Sequence, residues 1–216
     1  SRGLGDVYKR QGWCCGDEND VGFILELIDK IIHDRRADVG RVYLTGWSNG
    51  CYMSNELASV ASHKVAAVAC MAGYTDEPLA TNYSAIPVME IHGIADQIVP
   101  YGSSFTTGVL LEGTLEGDEG AIQNMYWWAD ANGCPGSAPD IETVEWDYTV
   151  MRFSGCTNGA DVVLVTMNYA QHNPYINDYD GTDSPFYQAI LTGNPTGIDA
   201  SQMAWDFLSQ HSKSVE

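Results

Sequence analysis

Residues 41–62 read RVYLTGWSNGCYMSNELASVAS, and this stretch decides the fold. Its first six residues, 41–46, form a short apolar run that contains β-branched side chains, which predicts a buried strand. Residues 49–62 predict a helix that begins almost directly after the strand. A buried strand that passes straight into a helix indicates an α/β protein, in which helices cover a parallel sheet.

The turn between these two elements is Gly46-Trp47-Ser48-Asn49-Gly50, which fits the G-x-S-x-G pattern of a nucleophile elbow. In such a turn the serine has a strained backbone, and the glycines two residues before and after it leave room for neighbouring chains. The helix that follows directs its positive end at a developing oxyanion. Ser48 is therefore the candidate nucleophile, and the backbone N–H of Asn49 is the candidate oxyanion donor.

The rest of the chain continues the alternation of helices and strands. Helices are predicted over residues 20–36 with Asp20 as the cap, over residues 117–133, and near the C-terminus, where Asp199 and Gln202 fit a capping box. Continuous apolar runs predict buried strands at residues 64–73, 86–93 and 161–168, and alternation predicts an exposed strand or hairpin at residues 144–155. Apolar strands separated by helices predict a mostly parallel sheet with helices on both faces.

A base and an acid for Ser48 are expected at one edge of the sheet, because parallel strands bring their carboxyl ends together there. His172 lies in the loop after the last predicted strand, which makes it the best base candidate. Asp96 lies after the strand IPVMEIHG, and its carboxylate would orient the imidazole. Asp76, after the preceding strand, is the rival acid. The remaining histidines fit other roles: solvent-facing at His33 and His63, structural at His92, and close to the C-terminus at His211.

The formal net charge of −19 limits the partners of the chain. Nucleic acid and anionic membrane surfaces would repel such a polyanion, so we expect neither as a partner. No apolar run is long enough to cross a bilayer. The spacing of the cysteines and histidines does not fit a zinc site, and the predicted chemistry needs neither metal nor cofactor.

Six cysteines indicate an oxidising compartment. We expect a disulfide between Cys134 and Cys156, which bracket a short strand-like excursion, and no bond between the adjacent Cys14 and Cys15. Cys51 and Cys70 fit plain buried thiols, and the sequence leaves the pairing of Cys14, Cys15, Cys51 and Cys70 open.

Several blocks of the chain, in the right order, resemble the polyhydroxybutyrate depolymerase and feruloyl esterase group, which is carbohydrate esterase family one of the α/β-hydrolase superfamily. These blocks are CCG followed by ENDVGF, RVYLTGWSNG, IPVMEIHGIADQIVPY, DVVLVTMNYAQH and DASQMAWDFLSQH. The resemblance implies an α/β-hydrolase fold, a single catalytic domain over residues 12–216, and a triad of Ser48, Asp96 and His172. It also implies the disulfide between Cys134 and Cys156.

The chain departs from the family pattern at two places. Gln171-His172-Asn173-Pro174 stands where Gly-His-x-Trp-Pro is usual, and Trp47 is bulkier than the usual residue. The opening SRGLGDVYKRQ, residues 1–11, is expected to be a non-native leader. The family's N-terminal strands, a His-Gly loop that supplies one oxyanion amide, and a signal peptide are expected upstream. We therefore expect an N-terminally truncated fragment of an extracellular protein.

The resemblance implies a secreted serine esterase that acts through an acyl-enzyme. Its expected substrates are feruloyl or acetyl esters of plant polysaccharide, with Trp47 and Tyr175 as substrate contacts. Trp127 and Trp128 are expected either beside the cleft or in the core. The alternatives are a polyhydroxyalkanoate depolymerase and a non-catalytic carbohydrate-binding module on the same scaffold. The sequence indicates no particular oligomeric state.

Overall fold

The computed structural model describes residues 19–75, 79–102, 120–175 and 197–214. The leader at residues 1–11, the adjacent Cys14 and Cys15, and the rival acid Asp76 lie outside the described residues. Within the described ranges, no helix has the length and apolar character that crossing a membrane requires.

Helices and strands are interspersed along the chain in the order that the sequence predicts. The helices are α1 (Asp20–Arg35), α2 (Asn49–Val60), α3 (Ala121–Ala131) and α4 (Ala200–Leu208). The strands are β1 (Tyr43–Leu44), β2 (Ala67–Met71), β3 (Val88–Gly93), β4 (Asp140–Val144), β5 (Tyr148–Phe153) and β6 (Val162–Met167). Strands β2 and β3 begin later than predicted, because the buried apolar residues Val65, Ala66 and Ile86 lie before the strands and not in them. The hairpin predicted at residues 144–155 begins earlier, at residue 140.

One sheet contains these strands in the order β1-β2-β3-β6-β5-β4. The first four in this order are mutually parallel, and β5 and β4 add an antiparallel hairpin at one side. Every residue of β2, β3 and β6 is buried, which explains why these strands read as continuous apolar runs.

Two apolar layers enclose the sheet. One layer contains side chains from α1, α2 and α3, including the fully buried Trp128. The other contains side chains from α4, including Phe207 and Leu208. The structure thus confirms the predicted mostly parallel sheet with helices on both faces.

The helix caps differ slightly from prediction. Asn19, not Asp20, caps α1, and its side chain accepts a hydrogen bond from the N–H of Gly22 at 2.9 Å. Asp199 caps α4 as predicted by accepting from the N–H groups of Ser201 and Gln202. The side chain of Gln202 donates to Asp206. In a capping box the amide oxygen of Gln202 would accept from the backbone N–H of Asp199, whereas here its NH₂ group donates along the helix surface to Asp206.

Two disulfides connect elements of the described chain. The predicted bond between Cys134 and Cys156 is confirmed, and it joins the end of α3 to the end of β5. The expectation of buried thiols at Cys51 and Cys70 is wrong. Both residues are buried, but they form a disulfide between α2 and β2, with Cα atoms 5.1 Å apart. The packing of α2 onto β2 creates this proximity, and the sequence pattern does not carry it.

Candidate active site

The turn before α2 has the strained backbone of a nucleophile elbow. Ser48 has φ 54° and ψ −121°, in a region that non-glycine residues rarely adopt. Its N–H donates to the carbonyl of Met71 at 2.9 Å, which fixes the turn at the carboxyl end of β2. A Cβ on Gly46 would lie 2.3 Å from the carbonyl oxygen of Gly50, so position 46 requires glycine. A Cβ on Gly50 would meet open space, so the expected need for two glycines holds only for the first.

The ends of β3 and β6 are joined closely, and this brings the predicted acid and base together. The N–H of Ile94 donates to Met167, and the N–H of Ala95 donates to Ala170, both at 3.0 Å. A Cβ on Gly93 would lie 2.4 Å from the carbonyl oxygen of Ala170, so the glycine allows this approach. The loops after these two strands therefore leave the sheet side by side.

The three predicted site residues meet at this edge. The Nδ1 atom of His172 lies 2.7 Å from Oδ2 of Asp96, and its Nε2 atom lies 2.8 Å from Oγ of Ser48. The carboxylate of Asp96 accepts, so the proton of His172 is on Nδ1, and Nε2 accepts from the Ser48 hydroxyl. This is the protonation state in which an imidazole can remove the serine proton.

The burial of the three side chains differs. Asp96 and His172 are buried, whereas Ser48 is only half-buried. The other oxygen of Asp96, Oδ1, accepts from the N–H groups of Ile98 and Val99, each at 2.8 Å. The carboxylate is thus held on both oxygens, and Ser48 is the least buried member of the group. In the described part of the chain, no group of three or more His, Cys, Asp or Glu side chains is arranged to hold a metal ion.

The comparisons with known proteins point to one group. Feruloyl esterase B of Piromyces equi is 28% identical over 166 residues, which is 74% of this chain and 30% of that protein. Feruloyl esterase D of Neurospora crassa is 26% identical over 201 residues, which is 92% of this chain and 58% of that protein. The chain therefore spans less than two thirds of the length of these relatives. The chain is similar in sequence to these two feruloyl esterases. No family model matches it.

A solved structure has the same fold as this chain. Acetyl xylan esterase from Aspergillus awamori superimposes with a TM-score of 0.50 at 17% identity, over 80% of this chain and 69% of that chain. The fold is that of an α/β-hydrolase, as the sequence predicts. The resemblance to the esterase group is likewise confirmed.

Trp47 lies against the predicted base, His172. Its ring centroid is 5.2 Å from that of His172, with the planes tilted by 40°. The side chain is half-buried, and its Nε1 atom is buried without a hydrogen-bond partner among the described residues. Trp47 therefore restricts the movement of the imidazole, and the exposed part of the Trp47 side chain lies beside His172.

The other predicted aromatic contacts lie elsewhere. Tyr175 has no exposed surface, and its hydroxyl accepts the N–H of Gly93 at 2.7 Å. Burial raises the pKa of Tyr175, so its hydroxyl stays neutral. We therefore do not propose Tyr175 as a substrate contact. Trp128 is buried in the core, and Trp127 is 40% exposed on α3.

A buried carboxylate–imidazole pair behind the site was missed by the sequence reasoning. Glu90 and His92 both lie on β3, with Oε1 and Nδ1 2.8 Å apart. His92 is satisfied on both ring nitrogens, as expected for a structural histidine. The partner could have been found, because a glutamate inside the apolar run IPVMEIHG two positions before a histidine shares its face of the strand.

Proposed function

We propose that this chain is the catalytic part of a serine carboxylesterase that cleaves feruloyl or acetyl esters of plant polysaccharide. One observation carries the proposal: an unbroken hydrogen-bond chain runs from Ser48 through His172 to Asp96, on a strained turn at the start of a helix. The esterase relatives support the same reaction class.

The proposed reaction is acyl transfer in two steps. Oγ of Ser48 attacks the ester carbonyl while Nε2 of His172 takes the hydroxyl proton. Asp96 accepts the Nδ1–H throughout and stabilises the imidazolium that forms. His172 then gives its proton to the leaving alcohol, and a water molecule activated by the same Nε2 hydrolyses the acyl-enzyme.

The backbone N–H of Asn49 is the proposed oxyanion donor from this part of the chain. Asn49 is the first residue of α2, directly after the nucleophile, so its N–H is aligned with the positive end of the helix. A donor at this place stabilises the tetrahedral oxyanion, and one such donor changes kcat by about 10²–10³.

The proposed acyl groups follow from the relatives and from Trp47. Two relatives are named feruloyl esterases, and the solved structure with the same fold is named an acetyl xylan esterase. The half-buried Trp47 ring beside His172 offers an apolar face to an aromatic acyl group. We propose Trp47 as a substrate contact, and we propose an extracellular location because two disulfides favour an oxidising compartment.

A fluorophosphonate probe tests the nucleophile directly, because it reacts with an activated serine. We expect stoichiometric labelling of the wild-type chain and none of Ser48→Ala. The absence of labelling in a folded wild-type chain would contradict the proposal and favour a non-catalytic binding module.

The acyl group is tested separately with three substrates: methyl ferulate, acetylated xylan and a polyhydroxybutyrate emulsion. We expect release of ferulate or acetate. Clearing of the polyester alone would favour the depolymerase alternative.

A further inference from the structure

Glu90 and His92 are buried charged groups that the proposed reaction does not use. They lie two residues apart on β3, so their side chains share one face of the sheet. His92 has no exposed surface and Glu90 has 3%. Buried carboxylates and imidazoles are costly unless they are paired and hydrogen-bonded, so their retention inside this strand calls for a physical reason.

Both ring nitrogens of His92 face acceptors. Nδ1 lies 2.8 Å from Oε1 of Glu90, and Nε2 lies 2.9 Å from the carbonyl oxygen of Val99. A carbonyl oxygen can only accept, so Nε2 carries a proton whichever way the Glu90–His92 proton is shared. His92 is therefore a fixed donor toward Val99, and one further proton lies between the imidazole and the carboxylate.

The surroundings keep this proton in place. Asn124 donates to the other oxygen of Glu90 at 2.5 Å, and the N–H of Thr75 donates to Asn124 at 3.0 Å. Burial raises the pKa of Glu90 against the opposing hydrogen bond from His92. Burial alone would lower the pKa of His92, but the hydrogen bond and charge of Glu90 outweigh it and raise that pKa. Because the pKa values of Glu90 and His92 are both raised, the pair keeps the proton that they share.

Aromatic and polar groups from other elements complete the enclosure of His92. The ring of Tyr74 stacks on the imidazole at 6.1 Å, and the ring of Tyr101 meets it edge-on at 5.7 Å. The Tyr101 hydroxyl bonds to Thr166 of β6 at 2.6 Å. Among the described residues, the charged groups that face His92 are Glu90 from its own strand and Asp96 from the loop that follows.

The contact to Val99 leads to the predicted acid. The N–H of Val99 donates to Oδ1 of Asp96 at 2.8 Å, while its carbonyl accepts from His92. Nε2 of His92 also lies 3.6 Å from Oδ2 of Asp96, the oxygen that holds His172. One imidazole N–H thus restrains the turn at residues 96–99, and its nitrogen lies near the carboxylate oxygen that holds His172.

We propose that Glu90 and His92 form a positioning pair for the catalytic acid: Nε2–H of His92 holds the Asp96 turn against β3, and Glu90 fixes the imidazole. This inference rests on the proposed esterase function. The pair touches neither substrate nor reacting atoms, and it acts through Asp96. The hydrogen-bond chain behind the nucleophile therefore continues past Asp96 into the sheet.

Two substitutions of His92 separate positioning from packing. Glutamine extends far enough to bring an amide N–H near the position of Nε2, whereas asparagine reaches only the position of Nδ1 beside Glu90. In the full chain we expect His92→Asn to lower kcat by about 10–100-fold with little change in KM, the range known for outer partners of metal-bound histidines. We expect His92→Gln to recover most of that loss, with kcat within a few-fold of wild type.

Tyr101→Phe is the matched control. It removes a buried hydroxyl from the same enclosure but keeps the ring against His92, so we expect a lower melting temperature and an unchanged kcat. If folded His92→Asn and His92→Gln both have wild-type kcat, or if both lose activity equally, the proposal is overturned. A wild-type chain that a fluorophosphonate does not label would instead contradict the esterase function itself.

A measurement on the wild-type chain needs no variant to fold. Long-range ¹⁵N–¹H spectra distinguish protonated from bare ring nitrogens, and we expect His92 to have an Nε2–H that exchanges slowly with solvent. An Nε2 of His92 without a proton at neutral pH would overturn the proposal.

Discussion

The two halves of the sheet differ in what their strand ends do. The parallel strands β1, β2, β3 and β6 end in loops that hold Ser48, Asp96 and His172 within hydrogen-bond distance. The antiparallel hairpin β4–β5 contributes none of these residues and exposes large apolar side chains, among them Trp146 at 67%. Parallel strands aim all their carboxyl ends at one edge, whereas a hairpin sends alternate ends away. The difference shows that the direction of the strands, more than their burial, decides where a site can form.

The hairpin has a different role, which is to cover an edge. Without β5, the long buried strand β6 would present a free row of N–H and C=O groups. β4 is largely exposed and carries charged side chains, and the pairing of Arg152 with Glu142 at 2.7 Å fastens it to β5. The exposed edge strand mixes charged side chains with the exposed apolar Ile141 and Val144, and its charges oppose pairing with another chain.

The largest expected effect belongs to Ser48, the proposed nucleophile. Ser48→Ala should lower kcat by about 10⁶-fold, the loss typical of removing a catalytic serine. Ser154→Ala, at an exposed serine just after β5, is the control from the hairpin and should leave kcat unchanged. Steady-state hydrolysis of 4-nitrophenyl acetate measures both. Substantial loss in the control would break the contrast between the two halves.

The acid gives the next largest effect. Asp96→Asn should lower kcat by about 10⁴-fold, because an amide in place of the carboxylate favours the wrong imidazole tautomer. Asp140→Asn on the exposed start of β4 makes the same chemical change away from the site and should have no effect. Comparison of kcat for the two variants tests the assignment. If Asp96→Asn retained wild-type kcat, another carboxylate would have to orient His172.

Trp47 should give a moderate effect. Trp47→Ala removes the ring that lies against His172, and we expect kcat to fall by about 10-fold through loss of orientation. Trp47→Phe keeps a ring and removes a buried N–H that has no hydrogen-bond partner in the part of the chain that the structure describes, so its kcat should stay close to wild type. Trp146→Ala in the hairpin is the matched aromatic control. A larger loss in Trp146→Ala than in Trp47→Ala would reverse the comparison.

The smallest effect concerns the pH dependence of stability. The folded pKa values of Glu90 and His92 are both raised, so the native pair keeps a proton that the unfolded chain releases near pH 6.5. Because the native state then binds more protons, the free energy of unfolding should fall above about pH 6.5, by at most about 1.4 kcal/mol per pH unit. Urea unfolding midpoints between pH 6.5 and 8.5 measure the slope. His92→Gln should reduce this pH dependence. An equal slope in the wild type and in His92→Gln would mean that other titrating groups cause it.

Most of the fold and the predicted triad follow from local sequence. Continuous apolar runs identify β2, β3 and β6 because both faces of these strands are covered. The order of strands and helices then brings the ends of β3 and β6 to one edge, which selects Asp96 and His172 without coordinates. The elbow at Ser48 is identified by its glycine before and its helix after.

What the sequence does not predict depends on contacts between distant elements. The bond between Cys51 and Cys70 requires the distance between α2 and β2. The burial of Tyr175 depends on how its loop returns to Gly93. The role of Glu90 depends on α3 bringing Asn124 over it. None of these distances is encoded in residue spacing, because each is set by packing.

The Cys134–Cys156 bond keeps the chain covalently joined after a proteolytic cut in the hairpin. The residues between these cysteines include the entire hairpin, so β4 and β5 belong to a covalently closed ring. A protease that cut the exposed turn at Glu145 and Trp146 would open the ring but release no fragment. The nicked chain would remain one molecule, with β5 still paired to β6.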